Sequence, residues 1–347
     1  MKGKVIIIIL ITILIGALIS GCVDKPKAEG QTSSSAGITS TAAGGSTPAT
    51  ASQTAVSSQE LEGTITLSGA FALYPMAVRW GEEFKKLHPK VDVEVSAGGA
   101  GKGMADTLGG LVDIGMVSRD IDKSEIEKGA YPISVTKDAV VATVNEKNPA
   151  LNDLISKGVK RKTFVDIFIN GTVTTWGEVV GRPEIKDEIH VYTRSDAAGA
   201  PEIWAKYLGK KQENLKGIGV PSDPGLLAAV QKDPLGIGYN NYNYAFDMKT
   251  GQSVTGIRVI PFDVNENGIV DPDEDISTKD TTIVSIKKGV FPSPPARVEF
   301  FVTKGKPNGV TSEFIRWVLT DGQKFVDEVG YIQLPEETLN GELKKLE

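Results

Sequence analysis

Hydrophobic patterning divides the chain into three regimes. Residues Val5–Ile19 are almost unbroken Ile, Leu and Val behind Lys2 and Lys4. From Gly30 to Ser58 the apolar pattern vanishes. There, 24 of 29 positions are Ser, Thr, Ala or Gly, and no charge falls between Glu29 and Glu60. Such a stretch cannot bury enough apolar area to offset its ordering entropy, so it reads as a stalk. From Leu61 onward apolar residues return, with periods that switch between two and about 3.6.

The switching predicts strand, loop and helix in repetition. Ile65 and Leu67 alternate with Thr64, Thr66 and Ser68 as a strand, and Pro75 then suits the first turn of a helix. That helix carries apolar residues at Met76, Ala77, Trp80, Phe84 and Leu87. Val91–Val95 alternates again, Ala97–Gly103 is a glycine-rich loop, and Met104–Leu111 predicts a short helix. Further strands are expected over 112–118, 135–144, 190–193, 237–239, 254–262 and 297–302. Helices are expected over 202–208 and, as one long amphipathic element, over 313–329. This is an α/β signature with parallel sheets.

Composition removes several functional classes. The 347 residues carry 38 Lys+Arg against 44 Asp+Glu, a formal charge of −6, which argues against nucleic-acid binding. One Cys excludes an internal disulfide framework, and two His leave little room for His-based metal chemistry. Lys102 is followed by Gly103 rather than Ser or Thr, so a nucleotide P-loop is not indicated, and no Gly-x-Ser-x-Gly elbow is present, although a phosphoester hydrolase whose triad members are distant in sequence stays open as a lesser alternative. An enzyme is not expected.

The lone cysteine has a telling position. Leu18-Ile19-Ser20-Gly21-Cys22 closes the apolar run and resembles a lipobox, in which the cysteine receives lipid after cleavage. The alternative is an uncleaved N-terminal anchor. Either reading places the remainder outside the cytoplasm, tethered to a membrane, with 1–22 as a lipoprotein signal peptide and 23–60 as the stalk.

Three segments share one design of strand, small-residue loop and helix: Gly69–Pro75, Ala97–Gly103 and Arg194–Pro201. A helix N-terminus presents free N–H groups and partial positive charge, and small residues let an anion approach them. Tight βα turns use small residues for structural reasons too. Three in one chain, one of them opened by Arg194, point to an oxyanion site between two lobes.

With Leu73-Tyr74-Pro75 ahead of Trp80, Gly98-Gly99-Ala100-Gly101-Lys102-Gly103, Val112-Asp113-Ile114-Gly115, Arg194-Ser195-Asp196 and Pro234-Leu235-Gly236-Ile237-Gly238-Tyr239, the chain resembles the phosphate-binding proteins of phosphate ABC transporters. The resemblance implies a two-lobed α/β fold of the periplasmic-binding-protein type II class with a ligand cleft between the lobes. Lobe one would be 61–142 plus 296–347, and lobe two 143–295. It also implies a membrane-anchored receptor that closes around a tetrahedral oxyanion, phosphate first, and delivers it to a permease. The positions carried over as ligand-binding are Ala72, Leu73, Tyr74, Ala100, Gly101, Ser118, Arg119, Arg194, Ala198, Gly199 and Ala200. In the family these loops usually offer Ser or Thr hydroxyls, which Ala72, Ala100, Ala198 and Ala200 lack, and an Asp stands where this chain has Ser118. Sulfate, molybdate, tungstate or an organic anion are therefore alternative ligands for the same fold.

A second pattern lies outside that resemblance. Asp263–Glu274 follows the EF-hand loop over twelve positions, with oxygen ligands expected from Asp263, Asn265, Asn267, the Ile269 carbonyl, Asp271 and Glu274, and Gly268 at the sharp turn. Calcium is the expected cofactor, in a structural role. The plainer alternative is an acidic solvated turn. A calcium-stabilised adhesion or scaffold module is the remaining alternative function.

Overall fold

The computed structural model describes residues 60–347. The strands are β1 (Gly63–Gly69), β2 (Val91–Ala97), β3 (Ile114–Val117), β4 (Ala130–Asn145), β5 (His190–Arg194), β6 (Ile218–Val220), β7 (Gly236–Asn241), β8 (Ile257–Val259) and β9 (Ala296–Lys304). They run in the order β2-β1-β3-β9-β4-β7-β5-β6, with β8 also paired to β4. Pairs joined through a helix are parallel: β1 with β2 and β3, β5 with β6 and β7. The pairs made by β4, and that of β3 with β9, are antiparallel. The sheet is thus mixed rather than wholly parallel, because the long β4 and β9 pass between the two halves of the molecule.

Two apolar cores result. One gathers Ile65 to Val135 with Phe301 to Leu346, and the other gathers Ala139 to Ala296. Strand β4 changes core between Val135 and Ala139, and β9 between Ala296 and Phe301. The first core is centred on Trp80, whose ring meets Phe301 edge-on at 5.6 Å. The second is centred on Trp204, ringed by Phe164, Phe168, Tyr239 and Phe262 at 5.2–6.0 Å. This two-lobed α/β architecture is the expected fold class.

Several boundaries differ from the sequence expectation for physical reasons. The first helix, Tyr74–Leu87, buries Met76, Ala77, Trp80 and Phe84, but Leu87 on its last turn points to solvent. The expected strand over 254–262 shrinks to Ile257–Val259, since Pro261 has no N–H to give the ladder. The expected long helix over 313–329 breaks into Gly309–Leu319, a 3₁₀ stretch Asp321–Phe325 and a last turn Val326–Val329. At the break the buried Trp80 indole N–H donates to Gly322 O at 2.8 Å. A buried indole N–H needs an acceptor, and a carbonyl freed from the helical ladder supplies one.

The two helices that matter for the anion loops begin earlier than their periodicity suggests. They run Ala100–Gly109 and Gly199–Tyr207, so the small residues are the first helical turns and not a loop ahead of them. Small side chains let those turns press against neighbouring backbone.

Candidate anion-binding site

The carboxyl ends of β1, β2 and β5 each lead into a helix, and β3 ends just before Ser118. Ligands of open α/β sheets bind outside such strand ends. In the first lobe, the N–H groups of Gly98 and Gly99 both donate to Gly69 O, at 2.8 and 2.9 Å, and Ala70 N–H donates to Met116 O at 2.9 Å. Three strand ends are thereby tied into one cluster. The second lobe meets it directly. A Cβ on Gly99 would lie 2.8 Å from Ala197 O and 3.6 Å from Asp196 Oδ2, and one on Gly199 would lie 2.1 Å from Ser118 Oγ.

Among the described residues, the N–H groups of Phe71, Ala72, Ala100, Gly101, Ala198, Gly199 and Ala200 have no hydrogen-bond acceptor. They are the donors at the starts of two helices, Ala100–Gly109 and Gly199–Tyr207, and in the turn before the first helix. A set of converging backbone N–H groups can hold an oxyanion without side-chain help.

Leu73 and Tyr74 do not belong to this set. Their N–H groups are spent on Ala70 O, at 3.2 and 3.1 Å, and the Leu73 side chain is wholly inside the first core. In the first loop the unpaired N–H groups are those of Ala72, one of the expected positions, and of Phe71 just before it.

Arg194 is buried, its guanidinium 5.5 Å from the centre of the Phe71 ring. Its Nε donates to Asp196 Oδ1 at 2.7 Å, its Nη2 to Asp196 Oδ2, and its Nη1 to Asp223 Oδ2 at 2.6 Å. Three of five N–H donors are thereby used, leaving one on each terminal nitrogen. Burial opposes the charge on Asp196, but the Arg194 fork and the Ser222 N–H hold its carboxyl below the usual range. Burial pushes the Asp223 carboxyl up despite Arg194. Arg194 is therefore fixed in place by Asp196 and Asp223.

Arg119 is likewise committed. It grips Glu125 through two nitrogens at 2.9 and 2.6 Å, and its Nε lies 3.3 Å from Glu202 Oε2 on the second-lobe helix. Lys206 on that helix pairs with Asp120. Arg119 is thus a lobe-to-lobe contact at the cleft edge. Lys102 is turned back as well, to Asp106 and to Ser68 Oγ at 3.2 Å. Two more lobe-to-lobe contacts come from the residues just after β7. Asn243 Nδ2 donates to Ala72 O at 3.2 Å, and Tyr244 OH to Phe71 O at 3.2 Å. Their only signal was the Tyr- and Asn-rich run after β7.

The calcium-type residues Asp263, Asn265, Asn267, Ile269, Asp271 and Glu274 lie on a second-lobe loop beside Ser156–Lys160. Cys22 and the stalk lie outside the described residues. No described helix is long and apolar enough to cross a membrane.

The family model for the PBP superfamily domain matches residues 34–322. The phosphate-binding protein PstS of Bacillus subtilis is 24% identical over 80% of this chain and 83% of its own length. That of Methanocaldococcus jannaschii is 27% identical over 81% of this chain and 85% of its own length. Among solved structures, a substrate-binding protein assigned to a phosphate ABC transporter of Clostridium perfringens, holding phosphate, superposes with a TM-score of 0.64. Its identity is 21%, covering 79% of this chain and all of that one. An ABC-type phosphate transport receptor from Vibrio cholerae gives 0.56 at 20% identity, covering 78% of this chain and all of that one. These likenesses bear out the expected fold, and the relatives are binding proteins rather than enzymes.

Proposed function

The chain belongs to the PBP superfamily, and on that premise we propose that it is the extracytoplasmic receptor of an ABC importer, capturing phosphate and handing it to a membrane permease. The observation that carries this is the set of unpaired N–H groups at two helix starts and in the turn before a third, on segments that meet where the lobes touch. The names of the relatives supply the ligand: they are phosphate-binding proteins across bacteria and an archaeon. Lipid on Cys22, with 23–60 as spacer, would keep the receptor beside its permease. A Cys22→Ser variant should then lose the lipid and keep its N-terminal segment, as intact-mass spectrometry would read.

The lobes would close on the anion, with Arg119–Glu202 and Asp120–Lys206 pairing across the edge. Monohydrogen phosphate carries a proton that needs an acceptor, and a fully ionised anion such as sulfate does not. Ser118 and the Asp196 carboxylate, which faces the glycine turn, are the acceptors on hand.

Calorimetry of the full chain against phosphate, sulfate, molybdate and tungstate tests the reading. One phosphate should bind per chain, at least tenfold more tightly than the others. Equal or tighter binding of another oxyanion would replace phosphate as the ligand, and no binding of any would end the receptor proposal. Restoring a hydroxyl with Ala198→Ser should strengthen phosphate binding by about 2- to 12-fold, the range of one net hydrogen bond.

A further inference from the structure

We propose that Asp263–Glu274 is a calcium site, built into the second lobe and independent of the anion loops. Its pivotal group is Asp263, which is only 2% exposed. Its Oδ2 accepts the Gly268 N–H at 3.0 Å, which turns the carboxylate into the loop, and its Oδ1 has no hydrogen-bond partner. A buried carboxylate oxygen without a donor is costly, and a hard cation is the partner that oxygen fits.

No protein cation fills that role. Lys160 Nζ stays 3.9 Å from Oδ2 and donates instead to Glu266 O at 2.8 Å. The other oxygens are arranged around the same turn. Glu274, also buried, folds the loop end onto its start: Oε1 accepts the N–H groups of Val264 and Asn265 at 2.8 and 3.1 Å, and Oε2 accepts that of Asp271 at 3.2 Å. Asn265 and Asn267 both reach Asp271 Oδ2, at 2.7 and 3.0 Å. Gly268 takes φ +83°, the sharp turn that position six of a calcium loop needs.

The loop does not hang free. Val270 N–H donates to Ser156 O at 3.0 Å, and Asp263 N–H to Val159 O at 3.2 Å, so both of its halves are pinned to one segment. Among the described residues no three His, Cys, Asp or Glu gather as a metal group. Asp263, Asp271 and Glu274 would therefore draw together as the loop closes on the ion. Many hard oxygens in a flexible ring suit calcium better than magnesium, which demands tight octahedral geometry.

The test is calcium chloride titrated into the chelator-stripped full chain by calorimetry, with melting curves alongside. One calcium should bind, raise the melting temperature, and leave phosphate affinity unchanged; magnesium should bind at least tenfold more weakly. Asp263→Asn should cost at least tenfold in calcium affinity. Asp271→Ala guards against a folding artefact, because Asp271 holds only loop side chains; it should weaken calcium about tenfold and leave the melting curve in chelator unchanged. No calcium heat together with superposable melting curves, or Asp271→Ala binding calcium as tightly as the parent, would overturn the site.

Discussion

Replacing Arg297 by methionine is expected to lower the stability of the protein by about 3–5 kcal/mol, the cost of leaving a buried charge without its partner. Arg297 and Asp138 are both buried and meet through two hydrogen bonds of 2.6 and 2.8 Å. Asn241 accepts a further bond from the guanidinium. The pair sits where β4 and β9 leave one core for the other, a place that neither apolar cluster fills. At roughly 2–4 °C per kcal/mol the melting temperature should fall by on the order of 10 °C. Arg297→Met with Asp138→Leu should recover most of the loss, because well-packed apolar residues replace a buried pair at little cost. A double variant no more stable than the single one would show that the pair is not the source of the effect.

The same crossing makes a prediction about pH. Glu299 is fully buried beside Arg297, at 3.7 Å, and neither carboxyl oxygen has a hydrogen-bond partner. Burial, and after it the Asp138 charge, push its carboxyl well above the usual range. An acid whose folded pKa is raised holds its proton longer in the folded chain than in the unfolded one. Its contribution is fully present below the ordinary Glu value of about 4.3 and is lost as pH rises from there through the folded value. Glu299→Gln should flatten that decline in stability against pH, and a profile that keeps the parent's slope would place the titrating group elsewhere.

What the sequence could reveal follows from how local each signal is. The helix at Trp80 and the small-residue segments after β1, β2 and β5 are written in neighbouring positions, so period and spacing were enough to find them. The break after Leu319 was not legible, because it depends on an indole 242 residues away in sequence. Nor was the cross-lobe contact of Arg119: Glu202 lies on the other lobe, and an arginine beside small residues reads as an anion ligand. The starts of the second and third anion helices were misplaced because Gly and Ala weaken the helical pattern at the very turns that face the site. Leu73 looked like part of the first loop, yet it is the residue that anchors that loop to the core.

That misplacement leads to the largest expected effect on binding, from Gly199→Ala. Gly199 opens its helix without a left-handed φ, so alanine suits the backbone and is the better helix former. The folded second lobe should therefore be as stable as before, or slightly more so. The added methyl would lie 2.1 Å from Ser118 Oγ and 2.3 Å from Ser118 O, both in the first lobe. The hydroxyl can rotate, but the carbonyl belongs to the backbone of a buried residue just after β3 and cannot give way cheaply. The lobes would have to stand apart, and an anion held by donors from both would lose contacts from one. Two charge-assisted hydrogen bonds lost, at about 1.5 kcal/mol each, amount to about a hundredfold in phosphate affinity. Calorimetry measures that loss, and small-angle scattering should show the parent compacting with phosphate while the variant does not. Parent-like affinity in Gly199→Ala would mean that the touching arrangement of Ser118 and Gly199 is not the state that binds, and that the free N–H groups of the two lobes act separately.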